Sequence, residues 1–387
     1  MTAMPDQPAR RPRCTTAECV SDGHPDKICD QIADAVLDAC LREDPDSHVA
    51  VEVAFKGHDL TVLGEVTSAA RVDVAGIARG VLTRLGHDGG RWGLDLGRLT
   101  VHERLSRQSP EIAHKVAGEK GLLGAGDQGI TFGYACDETP ERMPLAYSLA
   151  RALMLRQREL RGTPEGSVLG PDAKSQVTVA VNGAAAPVIT AVVVSSQHDA
   201  DTPLERVREL LVEEVIRRVI PAALLDGAKL IPNPGGAFTE GGPVADAGVT
   251  GRKIIADSYG PFAHHGGGAF SGKDGTKVDR SGAYGARRLA RAVVDAGLAR
   301  RAEIHAAYAI GAVEPVDVDL ETFGTGVRPD AELLDRLDGR LRSELSPSRL
   351  VETLGLRKPV FSPVAAFGHF GRPDLDLPWE QPLALDA

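Results

Sequence analysis

Residues 260–280, GPFAHHGGGAFSGKDGTKVDR, concentrate the residue types that hold a polyphosphate. Gly266 to Gly268 lead into Phe270-Ser271-Gly272-Lys273-Asp274, and Lys277, Asp279 and Arg280 follow. Glycines at this density let backbone N–H groups approach an anion with no Cβ in the way. Lysines suit phosphate oxygens, and carboxylates among them suit metal ions. Gly267 to Lys273 fits the spacing of a P-loop, but Asp274 stands where the Mg²⁺-binding hydroxyl would be. Residues 261–265 also do not read as a buried strand, so a Walker-type nucleotidase is rejected. Taken alone, such a stretch is as compatible with a solvated Gly/Lys surface loop.

A second constellation lies in residues 14–45. Ile28, Ile32, Val36 and Cys40 recur every fourth residue, the stripe of an amphipathic helix, and Pro25 suits its first turn. His24, Asp26 and Lys27 therefore gather at a helix N-terminus, where free N–H groups and the dipole attract anions. His24 is open to two roles, helix cap or ligand group. A third constellation is Pro171-Asp172-Ala173-Lys174, where Asp172 and Lys174 stand two apart at a strand start and share a face. Arg252 and Lys253 form a fourth, ahead of a short strand expected over 254–258. No Ser-His-Asp or Cys-His arrangement and no H-E-x-x-H is legible.

Alternation predicts a hairpin from 48–56 and the segment after Gly57-His58-Asp59, with Val49, Val51, Val53 and Phe55 on one face and Glu52 and Lys56 on the other. A helix is expected over 71–85. Residues 102–129 read as a mobile loop ending in a tight Gly-Asp-Gln-Gly turn. Further helices are expected over 145–160, 204–219, 281–299 and 330–344. A second hairpin turns at Asn182-Gly183, and a strand is expected at 303–311. The aromatic, Pro-rich end is expected on the surface of one domain.

The 387 residues suffice for two or three domains, and no apolar run reaches membrane-spanning length. The net charge of −10 argues against general nucleic-acid binding, so the basic residues of the Gly-rich stretch run against the overall balance. Five cysteines without C-x-x-C spacing indicate neither a disulfide framework nor a zinc site, and point to a reducing cytoplasm. The Pro/Arg-rich N-terminus lacks the apolar core of a signal peptide and reads as a disordered tail.

From about Thr16 to Trp379 the sequence resembles the methionine adenosyltransferases. The resemblance rests on Gly23-His24-Pro25-Asp26-Lys27, Gly124 to Gly129 (GAGDQG), Pro171 to Gln176 (PDAKSQ), Thr250 to Ile255 (TGRKII) and His265 to Asp274 (HGGGAFSGKD), in the family's order. It implies an α+β fold of three similar domains, each a small β-sheet with helices on one side: a tail at 1–13, then 14–112, 113–240 (opening with the mobile loop) and 241–387. It implies attack of the methionine sulfur on C5′ of ATP, with the expelled triphosphate hydrolysed to pyrophosphate and phosphate. His24, Lys174, Arg252, Lys253, Lys273 and Lys277 would be catalytic. ATP would also meet Lys27, Asp172, Phe238, Asp246 and Ala269. Methionine would meet Glu65, Gln108, Asp127, Asp246, Lys277 and Ile310. Asp26 and Asp279 would hold two Mg²⁺ ions and Glu52 a K⁺. Two chains would share each active site, as a homodimer or homotetramer, with no nucleic-acid or membrane partner.

The sequence departs from the family pattern at Lys56-Gly57-His58, at Ala237 in place of arginine, at Asp22 in place of Glu, at Phe367 in place of Tyr, and around Glu111. These departures keep two further readings open: a paralogue acting on another S-alkyl amino acid, and a non-catalytic nucleotide-binding subunit. The retained lysines favour catalysis.

Overall fold

The alternation at residues 48–56 becomes strand β2 (His48–Lys56), whose Val49, Val51, Val53 and Phe55 are buried while Glu52 and Lys56 face solvent. It pairs antiparallel with β3 (Asp59–Thr67). A computed structural model describes residues 13–107, 123–181 and 187–385. Gln108, most of the expected mobile loop and the Asn182-Gly183 turn lie outside the described residues.

Three small sheets with helices make a mixed α+β fold. The first sheet runs β4-β3-β2-β9, with β4 at Thr100–Ser106 and β9 at Gly248–Val249. The second runs β1-β6-β7-β8, from Arg13–Val20, Leu169–Val181, Val188–His198 and Lys229–Pro232. The third runs β11-β10-β5, from Asp317–Glu321, Arg301–Tyr308 and Gly129–Cys136. Each sheet is thus completed by a strand from a distant part of the chain: β9, β1 and β5. Helix α1 (Pro25–Glu43) covers the first sheet with α2 (Val74–Arg84), and α3 (Leu145–Arg161) covers the second. Helix α4 begins at Leu204–Leu210 and continues to Val219. Helices α5 (Val278–Asp295) and α6 (Asp330–Glu344) cover the third sheet.

Three expectations are corrected. Residues 100–106 form a strand, not part of a loop, because β4 takes its register from parallel pairing with β3, and its apolar residues, Val101 and Leu105, are only half-buried and are interrupted by Glu103 on the same face. Residues 254–257 form one helical turn, not a strand: Gly251 at φ +77° redirects the chain, and the apolar pair Ile254-Ile255 is too short to show a period. The aromatic end is core, not surface. Phe361, Phe370 and Trp379 are fully buried, Trp379 stacks on Tyr284 at 4.0 Å, and Phe370 stacks on Tyr259 at 4.9 Å. Rings of this size contribute more by filling the seam between helices than Pro-rich spacing suggests.

His87, just beyond α2, is buried with neither ring nitrogen hydrogen-bonded among the described residues. Burial, with Arg161 nearby, lowers its pKa to about 4. Between the unfolded value of about 6.5 and pH 4 the unfolded chain binds a proton that the folded chain refuses, so stability falls as pH falls through this window. The loss is on the order of 3 kcal/mol. Urea midpoints at pH 7 and pH 4.5 should differ less in His87→Leu than in the wild type; an identical pH slope would remove His87 from the acid response.

Candidate active site

Helix α1 is the organising element. Asp26, Asp30, Asp34 and Asp38 stand four residues apart on it, all buried. Each carboxylate captures backbone N–H groups of a distant loop. Asp26 accepts from Val249 at 3.0 Å, Asp30 from Gly251 at 2.9 Å and Asp34 from Gly272 at 2.8 Å. Asp38 accepts from Phe361 at 3.1 Å and Ser362 at 2.7 Å. One helix face therefore seats the 248–253 turn, the Gly-rich loop and the C-terminal tail. Asp30, Asp34 and Asp38 were absent from the residues singled out above; a carboxylate at every fourth position of a helix with buried neighbours was the available signal.

The first cluster forms at the N-terminus of α1. His24 is the N-cap, and its Nδ1 accepts the Asp26 N–H at 3.2 Å. Burial, then Lys253 and Lys174, lower its pKa to about 3, so the ring is neutral and carries its proton on Nε2. Burial pushes the Asp26 carboxyl up, but the Lys253 ammonium at 2.6 Å and the Val249 N–H outweigh it and hold it below the usual range. Arg252 Nε stands 3.4 Å from Asp26. Lys174 on β6 is exposed and has no carboxylate partner among the described residues. Asp172 is buried. Its Oδ2 accepts the Gly242 N–H at 2.9 Å, and its Oδ1 has no partner among the described residues. Burial raises its pKa to about 6. Asp246 is exposed nearby, on the turn after Gly242. Phe238 is half-buried, its N–H donating to His198 Nε2 at 3.1 Å and its carbonyl accepting the His198 N–H at 2.9 Å. Lys27 points elsewhere. It is buried between Asp30 at 2.8 Å and Asp257, and these two carboxylates outweigh the effect of burial and keep it protonated.

The second cluster is the Gly-rich loop, which adds to the edge of β2: Val51 N–H donates to Gly272 at 3.0 Å and Asp274 N–H to Val49 at 3.1 Å. Here glycines serve close packing. A Cβ on Gly272 would sit 1.9 Å from the Val51 carbonyl oxygen, and one on Gly268 would sit 2.3 Å from Asp279 Oδ1. Lys273 pairs with Asp279 at 2.5 Å and Lys277 with the buried Asp274. Asp274 also accepts from Thr276 N–H at 2.8 Å and Val49 N–H at 2.6 Å, so it is the loop's internal anchor. Asp127 is exposed on a turn knitted to 276 and 312, beside exposed Ile310. Ala269 is half-buried against Gly251. Glu52 and Glu65 are exposed on the open face of the first sheet. The apolar neighbours of Glu52 in sequence, Val51 and Val53, point to the opposite face, so Glu52 is not a buried carboxylate in need of a partner.

The two clusters are tethered at Asp26 and at Asp34, eight residues or about 12 Å apart along α1. A cavity of about 920 Å³ lies apart from both, beside the C-terminal ends of α2 and α3. The arrangement is a neutral donor and paired cations around an anion path, with no activated nucleophile. Such a grouping suits the binding of a polyanion.

Three family models match the chain: the S-adenosylmethionine synthetase N-terminal domain at residues 13–110, the central domain at 122–238 and the C-terminal domain at 240–381. The chain is 45% identical over 390 aligned positions to the S-adenosylmethionine synthase of Bifidobacterium adolescentis, with 96% of each covered. It belongs to the S-adenosylmethionine synthetase family of transferases.

Proposed function

We propose that this chain transfers the adenosyl group of ATP to the sulfur of L-methionine, forming S-adenosylmethionine. The observation that carries the reading is the His24–Asp26–Lys253 grouping beside Lys174, which has no carboxylate partner among the described residues. A thioether has no proton to remove, so the reaction needs no general base. The sulfur–C5′ bond forms as the C5′–O bond breaks, and the charge gathers on the departing triphosphate. His24 donates its Nε2–H to the leaving oxygen, and Lys174, Arg252, Lys253, Lys273 and Lys277 take the phosphate charge. Water then cleaves the triphosphate to pyrophosphate and phosphate. Asp172 Oδ1, buried and unpartnered, is suited to a ribose hydroxyl. Phe238 offers a ring to adenine. Glu65, Asp127, Asp246 and Ile310 line the methionine and adenosine side.

Among the described residues no three metal-binding side chains converge. Single carboxylates already facing a cation, Asp26 and Asp279, fit Mg²⁺, which takes one or two carboxylates and completes its shell with phosphates and water. Two Mg²⁺ bound there would neutralise charge on the triphosphate. Glu52, exposed on the open face of the first sheet, would supply one oxygen donor to K⁺. The exposed apolar side chains of Leu63 and Ile130 suit a homodimer with shared sites, itself able to pair as a tetramer. No helix among the described residues is long and apolar enough to cross a membrane. The buried thiols of Cys19, Cys29, Cys40 and Cys136 suit a cytoplasmic setting.

Product analysis with ATP plus methionine, against ATP alone, tests the reading. S-adenosylmethionine, pyrophosphate and phosphate in equal amounts are expected. Triphosphate cleavage without methionine dependence would favour a paralogue, and no turnover would favour a non-catalytic subunit. Chelator in excess should abolish turnover, and replacing K⁺ by Na⁺ should lower it; indifference to either removes the corresponding ion.

A further inference from the structure

A cavity of about 920 Å³ opens between α1, the C-terminal ends of α2 and α3, and the tail turn at 362–367. Its volume is that of a small-molecule site. Arg84, Arg91, Arg158 and Arg161 line it, against the carboxylates of Asp22 and Asp88. In a chain of net charge −10 this concentration of guanidinium groups creates a local positive field. Two of them are seated on rings: Arg91 lies 4.8 Å from the Trp92 centroid and Arg158 lies 4.7 Å from that of Phe367. Arg91 spends its N–H edge on Asp199 and the Ser167 carbonyl, whereas Arg158, oriented by its ring, keeps its edge for a ligand. Arg84 and Arg158 have no ion-pair partner among the described residues. Arg161 bonds Asp22 at 2.6 Å, yet its Nε is buried without a partner. Asp22 and Phe367, two departures from the family pattern, both line this cavity.

We propose that this cavity binds a small organic polyanion carrying phosphate or carboxylate groups, and that the bound anion lowers turnover through Asp22. Planar guanidinium forks match both kinds of oxygen pair. An anion on Arg161 competes with Asp22, whose carbonyl accepts Gln31 Nε2 at 2.7 Å and whose chain leads directly to Gly23 and His24. Gly23 has no slack: a Cβ there would sit 2.4 Å from Pro171 Cβ. A shift at Asp22 is therefore passed to His24. The binding half stands independently, and the coupling half rests on the role given to His24 above.

Calorimetric titration of the metal-free full chain with fructose 1,6-bisphosphate and with citrate tests the binding half and separates the phosphate from the carboxylate source. At least one should bind saturably, and at least about tenfold more weakly to the Arg84→Ala/Arg158→Ala double variant. Both arginines are exposed, so the variant should fold and keep its turnover in the absence of the probe. The binding probe should lower wild-type kcat at saturating ATP and spare the variant. No binding by either probe, or equal binding to the variant, overturns the site. Binding that is lost in the variant but leaves wild-type kcat unchanged overturns the coupling.

Discussion

His24→Asn should lower kcat by about 10²–10³, equivalent to about 2.7–4 kcal/mol of transition-state stabilisation. The substitution is chosen for what it preserves. Asparagine is as good an N-cap as any residue, so the Asp26 N–H keeps an acceptor and α1 keeps its first turn. What is lost is the reach of the imidazole Nε2–H, held neutral and outward by burial and by the bond at Nδ1. Turnover and melting temperature measured together separate the roles. A large fall in kcat with the melting temperature unchanged is the expected pair. Near-normal turnover would remove His24 from the chemistry. His24→Ala, which also deletes the cap, should add about 1 kcal/mol of destabilisation.

The largest stability effect should come from Asp34. Its two oxygens meet Arg280 at 2.7 and 2.8 Å, and both side chains are 0% exposed. Arg280 also donates to Tyr284 at 3.0 Å and to the Lys273 carbonyl at 3.1 Å, while Asp34 takes the Gly272 N–H. The pair thus joins α1, α5 and the Gly-rich loop. Asp34→Ala leaves a buried guanidinium uncompensated and should cost about 3–5 kcal/mol. Asp34→Leu combined with Arg280→Met removes both charges and should be less destabilised than Asp34→Ala, because the desolvation penalty goes with them. Urea unfolding of the two variants measures this. If the double variant loses as much stability as Asp34→Ala or more, the cost lies in packing and not in the unpaired charge. The double variant should still lose turnover, since Gly272 no longer has the carboxylate that seats Lys273.

Local pattern was enough for β2, β3, α1, α3 and α6, whose alternation or fourfold spacing survives in the native elements. It was also enough for the anion-handling chemistry, because lysines, a capping histidine and aspartates at loop and helix starts keep their meaning wherever the chain folds. Lys27 shows the limit of residue type. It sits in the same motif as His24 and Asp26, yet helical geometry turns it inward to Asp30 and Asp257. Glu52 shows the converse, a carboxylate among valines whose exposure follows from the twofold period of its strand.

The letters alone could establish that α1 carries an acidic residue every fourth position, but not what those residues hold. Each holds a backbone N–H group, as far as 324 positions away, and an amide has no side-chain signature. The same reason hides the strand exchange. β1, β5 and β9 read as ordinary short segments, and their sheets are chosen by register with strands that are distant in sequence. It hides the glycines' purpose too, since Gly268 and Gly272 are required by Asp279 and by the Val51 carbonyl only once the loop lies on β2. Composition and period settle which residues can do chemistry and which face is buried. Only long-range hydrogen bonding settles which loops meet at the end of α1, because that choice is made by backbone groups that every residue shares.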